Sequence, residues 1–162
     1  MSTAEYYLEI KGPDVKGEAQ EETSHKEKIE VLSWGFGGAN TASFANDPNG
    51  KGGQVSVRDL TIVKRTDISS PTLFMSCAKG EIFDTATLVC RREGALDYLT
   101  VALKDAIISS FQTGGAPGAD NIPVDQVSIA YREVEFRYTP MKGKEPGAEV
   151  IHGYNQSTKK VW

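Results

Sequence analysis

The sequence predicts a mainly β protein, a bent-strand β-barrel made of two packed sheets, with one flanking α-helix. Three observations predict this fold. Apolar residues recur at every second position along most of the chain, as in YYLEI and EVLSWGF, which is the period of a half-buried strand. Two long segments change that phase by one residue, as a bulge or bend does. One segment alone carries clear start and stop signals for a helix.

The first two strands are predicted from strict alternation. Their apolar positions are Tyr6, Leu8 and Ile10 in the first strand and Leu32, Trp34 and Phe36 in the second. Residues two apart on a strand point to the same face. We therefore expect Leu32, Trp34 and Phe36 to anchor the core.

The phase changes fall in QVSVRDLTIVK and VSIAYREVEFRY. In the former, Val55 and Val57 are followed by Leu60 and Ile62; in the latter, Val127, Ile129 and Tyr131 are followed by Val134, Phe136 and Tyr138. Long strands that bend favour a closed or nearly closed barrel over a flat open sheet.

The helix is predicted in SSPTLFMSCAKG. Ser70 is the expected N-cap, Pro71 the first helical residue, Lys79 part of the last turn and Gly80 the stop. The apolar face expected to cover one side of the barrel is formed by Leu73, Phe74 and Cys77. The segment DYLTVALKDAIISSFQ fits either a helix or a strand, and its β-branched residues and the following TGGAPG turn favour a strand.

Bulk composition fits a single domain over residues 1–162. The chain has 162 residues with 18 Lys and Arg against 22 Asp and Glu, a net charge of −4. That balance argues against binding to a nucleic-acid backbone, which needs a basic surface. The N-terminus lacks a basic region followed by an apolar one, and no apolar run approaches the roughly 20 residues of a membrane span. We therefore expect synthesis in the cytoplasm, no signal peptide and no membrane insertion.

Reactive groups are sparse, so no enzyme activity, metal or cofactor is predicted. The only histidines are His25 and His152, outside any metal-binding spacing, and the only cysteines are Cys77 and Cys90. The glycines of GFGGAN lack the lysine and hydroxyl residue of a phosphate loop. The carboxylates show no pairing, which favours solvated surface charge.

The order of several motifs nevertheless points to one family. IKGPDVKGE, LSWGF, RDLTIVKRTDISSP and FRYTP follow one another within a single domain. In this order the chain resembles the haemolysin-coregulated proteins, the tail-tube subunits of bacterial type VI secretion systems, from about Tyr6 to Tyr154. Relatives often carry a second tryptophan at the position of Phe36 and a small polar residue at that of Gly35. Aromatic bulk is kept at Phe36, and a cargo contact by the small polar residue is not transferred.

The resemblance implies a homohexameric ring with a central channel and rings that stack into a tube. It further implies a sheath around the tube, a spike at its tip, export by contraction without a signal peptide, and small protein effectors carried in the channel of some members. The chain ends soon after the family pattern, so no fused effector domain is expected.

Two surfaces are assigned from this resemblance. Val31, Ser33 and Gly35 lie opposite the predicted core face and are expected to meet the channel or a neighbouring subunit. The polar loop after the second strand is expected to reach the adjacent ring. It comprises Ala39, Asn40, Thr41, Ala42, Ser43, Phe44, Ala45, Asn46, Asp47, Pro48, Asn49, Gly50, Lys51, Gly52 and Gly53.

A function of another class stays open, namely a monomeric β-barrel module that binds a ligand such as a carbohydrate. Exposed aromatic residues gathered at one loop end would favour that function. In the sequence the aromatic residues fall mostly on alternating core positions, which favours the tube subunit.

Overall fold

The computed structural model describes residues 5–20, 25–42, 44–45, 53–92, 96–118 and 122–162. In these residues the chain forms one helix, α1 (Ser69–Lys79), and twelve strands. The strands are β1 (Glu5–Lys11), β2 (Ile29–Val31), β3 (Ser33–Gly35), β4 (Gly38–Asn40), β5 (Val55–Val57), β6 (Leu60–Arg65), β7 (Ile82–Arg92), β8 (Leu96–Gly114), β9 (Val124–Tyr138), β10 (Met141–Lys142), β11 (Glu145–Pro146) and β12 (Val150–Asn155).

Eight strands form one antiparallel sheet that nearly closes on itself. Its order is β2-β1-β7-β8-β9-β6-β3, with β12 paired to the second half of β9. The two ends of this order, β2 and β3, are consecutive in the chain, and the Leu32 N–H between them donates to the Val63 carbonyl of β6 at 2.7 Å. The chain therefore joins the ends of the sheet, and the predicted mainly β, barrel-like fold with one helix is confirmed.

The three central strands bend along one line across the sheet. The buried residues change phase from Phe83 to Ala86 in β7, and likewise in β8 and β9. The phase changes at Asp84 in β7, at Asp105 in β8 and at Arg132 in β9. At these residues each ladder between neighbouring strands skips one pair. Asp105 has a φ of 53° and Arg132 pairs with it at 3.2 Å. The bend turns a single sheet into two packed halves.

The other predicted phase change has a different cause. β5 and β6 are separate strands, and β5 leaves the large sheet to pair with β4 as a hairpin.

The predicted inter-ring loop is also shorter than expected, because Ala39 and Asn40 belong to β4. The hairpin continues to Thr41, whose N–H donates to the Gln54 carbonyl at 3.2 Å. Ser43 and 46–52 of the loop lie outside the described residues.

The core contains some of the predicted anchors and excludes two. Leu73 is buried, and Trp34, Phe36 and Cys77 are partly buried against the core. The assignments of Leu32 (39% exposed) and Phe74 (61% exposed) to the core are wrong.

The error at Leu32 arises because the strand is interrupted there. β2 buries Ile29 and Val31, and the bend at Leu32 rotates the chain before β3 begins. Val31, at 4% exposure, therefore belongs to the core, and its assignment to a channel or neighbour face is wrong.

The helix begins one residue before the predicted N-cap. The residue preceding it is Ile68, which makes no side-chain cap. Asp67 takes that role, since its Oδ1 accepts from the Ser69 N–H at 2.9 Å, while the Asp67 N–H donates to Ser70 Oγ at 3.0 Å. The helix ends as predicted at Gly80, which has a φ of 66° that favours glycine.

The neighbouring residues Leu73 and Phe74 give a matched pair of variants. We expect Leu73→Ala to lower the free energy of unfolding by about 2–5 kcal/mol, because the side chain is fully buried. We expect Phe74→Ala to cost about 1 kcal/mol or less, since its ring keeps only an edge contact with Phe111. Urea unfolding at one fixed subunit concentration measures both, and equal losses would contradict this orientation of α1.

Candidate functional site

The half-sheet β3-β6-β9-β8 presents a solvent-facing surface that carries no charge. Residues directly opposite one another in an antiparallel sheet point to the same face. Two rows of such partners cross the four strands, and we call them the hydroxyl–amide face. One row is Gly35, Thr61, Ser128 and Ser110; the other is Ser33, Val63, Gln126 and Gln112.

All eight residues of this face are exposed or half-buried. On the solvent-facing side of β6, a charged side chain occurs only where the face ends, at Arg65, and Asp59 lies beside the other end. A quarter of the whole chain is charged, so this neutral area stands apart from the rest of the surface. Serine, threonine and glutamine keep it hydrated without providing a strong electrostatic field.

The opposite side of the same half-sheet is the core. Ile62, Val127 and Ile129 are buried there, and α1 covers one end, with Phe74 against Phe111 at 6.1 Å. The hydroxyl–amide face and α1 thus lie on opposite sides of the sheet. Of the predicted channel or neighbour residues, Ser33 and Gly35 lie on this face and Val31 does not.

A buried ion pair holds α1 to this half-sheet. Lys64 and Asp125 are both fully buried and lie 2.9 Å apart. Lys64 Nζ also donates to Ser70 Oγ at 2.9 Å and lies 3.0 Å from Asp67, while the hydroxyl of Ser70 donates to Asp125. Burial alone raises the pKa of Asp125, but hydrogen bonds from Ser70, Lys64 and two threonines hold it below its usual value.

The half-sheet ends in an unpaired strand on each side. β3 pairs with β6 on one side only, and β8 has β7 as a neighbour only as far as the pair Ile82–Ile107. Within the described residues, no further strand covers β3 or residues 108–114 of β8. Unpaired backbone N–H and C=O groups in such edges are open to pairing with another chain.

A cleft of about 450 Å³ opens beside the hydroxyl–amide face. Gly35 and Thr61 belong to both the face and the cleft, Phe36 adds an aromatic ring, and Arg58 and Asp59 supply the charges. The remaining lining residues are Gly37 and Gly38, and at Gly37 an added Cβ would meet no atom within 4 Å. The backbone at Gly37 thus borders open space.

Two of the potentially reactive side chains, His25 and Cys90, are buried in the structure. His25 is buried, lies 2.9 Å from Asp97 through Nε2 and stacks on Tyr7. Burial raises the pKa of the Cys90 thiol to about 11, so it is protonated at neutral pH. In the part of the chain that the structure describes, no cluster of His, Cys, Asp and Glu could hold a metal ion. No helix among these residues has both the length and the apolar character of a membrane span.

Comparison with known proteins identifies the class. A profile of the family described as "Type VI secretion system effector, Hcp" matches residues 7–138. Protein hcp1 of Pseudomonas aeruginosa is 36% identical over 151 residues, which cover 90% of this chain and 92% of that protein. Hcp1 from Salmonella typhimurium superposes with a TM-score of 0.81 at 27% identity, covering 98% and 99% of the two chains. A structure described as a type six secretion system protein reaches 0.88 at 24% identity, with 99% and 100% covered.

Barrel, helix and sequence together define a type VI secretion protein. The chain belongs to the Hcp family, as its motifs indicated. That family is a secreted family of this apparatus and is not known as a family of enzymes.

Sequence reasoning found two of the eight residues of the hydroxyl–amide face. The others lie on strands far apart in the chain, and their register with β3 depends on the bulge near Ser109 in β8. One signal was available, because Thr61 and Ser128 each lie between two buried apolar residues. Alternation alone does not reveal which strands are neighbours.

Proposed function

We propose that this chain is the tube subunit of a type VI secretion system, and that it forms a homohexameric ring whose central channel is lined by the hydroxyl–amide face. The observation that carries this proposal is a neutral, polar sheet face bounded on both sides by unpaired strand edges. Such a half-sheet is suited to line an aqueous channel while its edges meet neighbouring copies.

The two edges are different, and this favours a ring over a two-fold dimer. β3 has three residues, whereas the unpaired part of β8, residues 108–114, has seven. A contact between the β8 edge of one copy and the β3 side of the next is heterologous, and such contacts end only by closing into a ring. The number six follows from the family resemblance.

The rings are proposed to stack into a tube, with the β4–β5 hairpin and its loop reaching the adjacent ring. Phe44, on that loop, is 75% exposed, which gives the loop an apolar group for such a contact. The sheath around the tube and the spike at its tip are the further partners, and small protein effectors are the proposed cargo. The chain would then be synthesised in the cytoplasm and exported by contraction of the sheath. Neither step would require a signal peptide, a cofactor or membrane insertion.

Cysteine labelling tests which face meets the channel. In a Cys77→Ala background, Gln126→Cys places a thiol on the hydroxyl–amide face and Ala78→Cys places one on exposed α1. A small maleimide is expected to label both fully. A maleimide on a long polyethylene glycol chain is expected to label Ala78→Cys fully but to saturate well below one polymer per subunit at Gln126→Cys, because six polymers would crowd one channel. Full polymer labelling at both positions in an intact ring would refute the assignment.

A further inference from the structure

The cleft beside the hydroxyl–amide face contains an arginine that the proposed function leaves without a role. Arg58 is exposed, and in the described residues its guanidinium takes part in no ion pair and no side-chain hydrogen bond. Two other cations near the half-sheet are matched: Lys64 meets Asp125 and Asp67, and Arg132 meets Asp105. An unmatched cation at the edge of a neutral surface is available to an anionic partner.

The backbone of Arg58 is fixed on both sides. Its N–H donates to the Gly37 carbonyl at 2.8 Å, and its own carbonyl accepts from the Tyr131 hydroxyl at 2.8 Å. Tyr131 is itself buried in the core. The side chain therefore projects from a rigid point, which reduces the ordering needed when a ligand binds.

The nearby carboxylate of Asp59 is already engaged. Its Oδ2 accepts a hydrogen bond from the bulged Ser109 of β8 at 2.6 Å. Burial, and then the charge of Asp59, raise the pKa of Tyr131 above its ordinary value. Asp59 weakens the field of Arg58 but leaves its donors unoccupied.

From these contacts we infer that the cleft of Gly35, Phe36, Gly37, Gly38 and Thr61 is a binding site for carboxylates of the transported protein, with Arg58 as the residue that recognises them. Guanidinium presents two parallel N–H groups that match the two oxygens of a carboxylate. Phe36 offers apolar contact to the stem of an acidic side chain, and the glycines let a peptide approach the backbone. The inference rests on the proposed function, since it assigns a chemical class, acidic cargo, to the channel.

A ring would repeat this site around the channel. Six copies place six guanidinium groups on one circle, so a cargo with several carboxylates would be held by many weak contacts at once. Each contact alone breaks easily, and such a cargo is retained in the ring yet released after delivery. Salt is expected to weaken the binding, because the charges are exposed.

Fluorescence anisotropy with three labelled peptides tests the site. The first is a neutral Gly–Ser peptide with an amidated C-terminus, the second is the same peptide with a free C-terminal carboxylate, and the third is amidated but carries three aspartates. We expect the neutral peptide not to bind and at least one carboxylate peptide to bind. Binding of the second alone identifies a C-terminal carboxylate, binding of the third alone identifies acidic side chains, and binding of both identifies carboxylates in general.

Variants separate recognition from general attraction. Arg58→Gln is expected to weaken binding about tenfold or more, as loss of a charge-assisted hydrogen bond does. Arg58→Lys is expected to bind with intermediate affinity, because it keeps the positive charge but lacks the two parallel N–H groups of the guanidinium. Arg65→Gln is the matched control, because Arg65 is an exposed arginine at the far end of the same face. Equal loss in both Gln variants, equal binding of the neutral peptide, or no binding at all would overturn the inference.

The mass of each variant in solution keeps the two proposals apart. A monomer that binds carboxylates through Arg58 would uphold the site and refute the ring. A hexamer that binds none of the three peptides would support the proposed ring and refute the carboxylate site.

Discussion

Lys64→Met is expected to lower the free energy of unfolding by about 3–5 kcal/mol, well above the cost of removing an exposed charge. The substitution removes the cation from a fully buried group of polar residues, and it leaves the carboxylate of Asp125 in the core. Asp67, 3.0 Å from Lys64, loses the same partner. Two carboxylates would then lie close together without a compensating charge, and the N-terminal turn of α1 would detach from the sheet.

The exposed pair of Lys104 and Glu133 provides the control. These charges lie 3.6 Å apart on the surface, where the lysine side chain is 69% exposed. Lys104→Met is therefore expected to cost about 1 kcal/mol or less. The double variant Lys64→Met, Asp125→Leu is expected to recover part of the loss, because neither buried charge remains. Urea unfolding measures all three, and similar losses for Lys64→Met and Lys104→Met would contradict the buried ion pair.

The same network predicts how stability changes with pH. The pKa of Asp125 is lower in the folded protein than the roughly 3.9 of a free aspartate. The stabilisation is therefore fully present above the unfolded pKa and is lost as the pH falls through the lower, folded one. Wild type is expected to lose stability below about pH 4, while the double variant, which lacks this carboxylate, is expected to have a flatter acid limb. Parallel acid limbs would contradict the lowered pKa.

Shortening the loop is expected to abolish secretion while leaving the ring intact. Replacing Thr41 to Lys51 by a short Gly–Ser turn keeps β4 and β5 and removes the segment proposed to contact the next ring. Ordering such a polar segment costs roughly 1–2 kcal/mol per residue in backbone entropy. Its contact with a neighbour is therefore weak, and stacking depends on six such contacts formed together. The readouts are sedimentation of the purified ring and the amount of protein in culture supernatant.

A substitution in a second turn is the control for this variant. Lys144→Gly, in the turn between β10 and β11, changes a loop of no proposed role and should leave both ring and secretion unchanged. Normal export of the variant with the shortened 41–51 loop would show that the loop is only a solvent loop. Dissociation of its ring would show that the loop contributes to lateral contacts instead.

The period of the apolar residues and the helix stop signal predicted the class of fold well. Strand alternation, the phase change in β9 and the glycine stop of α1 all depend on local chemistry, and each is visible in the structure. The ambiguous segment that follows Asp97 is strand, as its β-branched residues indicated. Such features require only neighbouring residues to specify them.

The predictions that failed concern residues whose position is determined by tertiary contacts. Leu32 has the right parity for the core, but the Leu32 N–H pairs with β6 at a bend, and this turns its side chain outward. Ser70 has the composition of an N-cap, yet its hydroxyl is used by Lys64 and Asp125 inside the protein. Lysine and aspartate 61 positions apart give no local sign that they will pair in the core. The neutral face and the cleft at Arg58 depend likewise on register between distant strands.

The central claim is that this chain closes into a ring, and its molar mass in solution tests that claim most directly. Multi-angle light scattering on the purified protein, over a tenfold range of concentration, should give about six times the 17.6 kDa of one chain at every concentration. A closed ring has a fixed mass because no edge remains free. A mass of one chain throughout, or a mass that rises steadily with concentration, would contradict the ring.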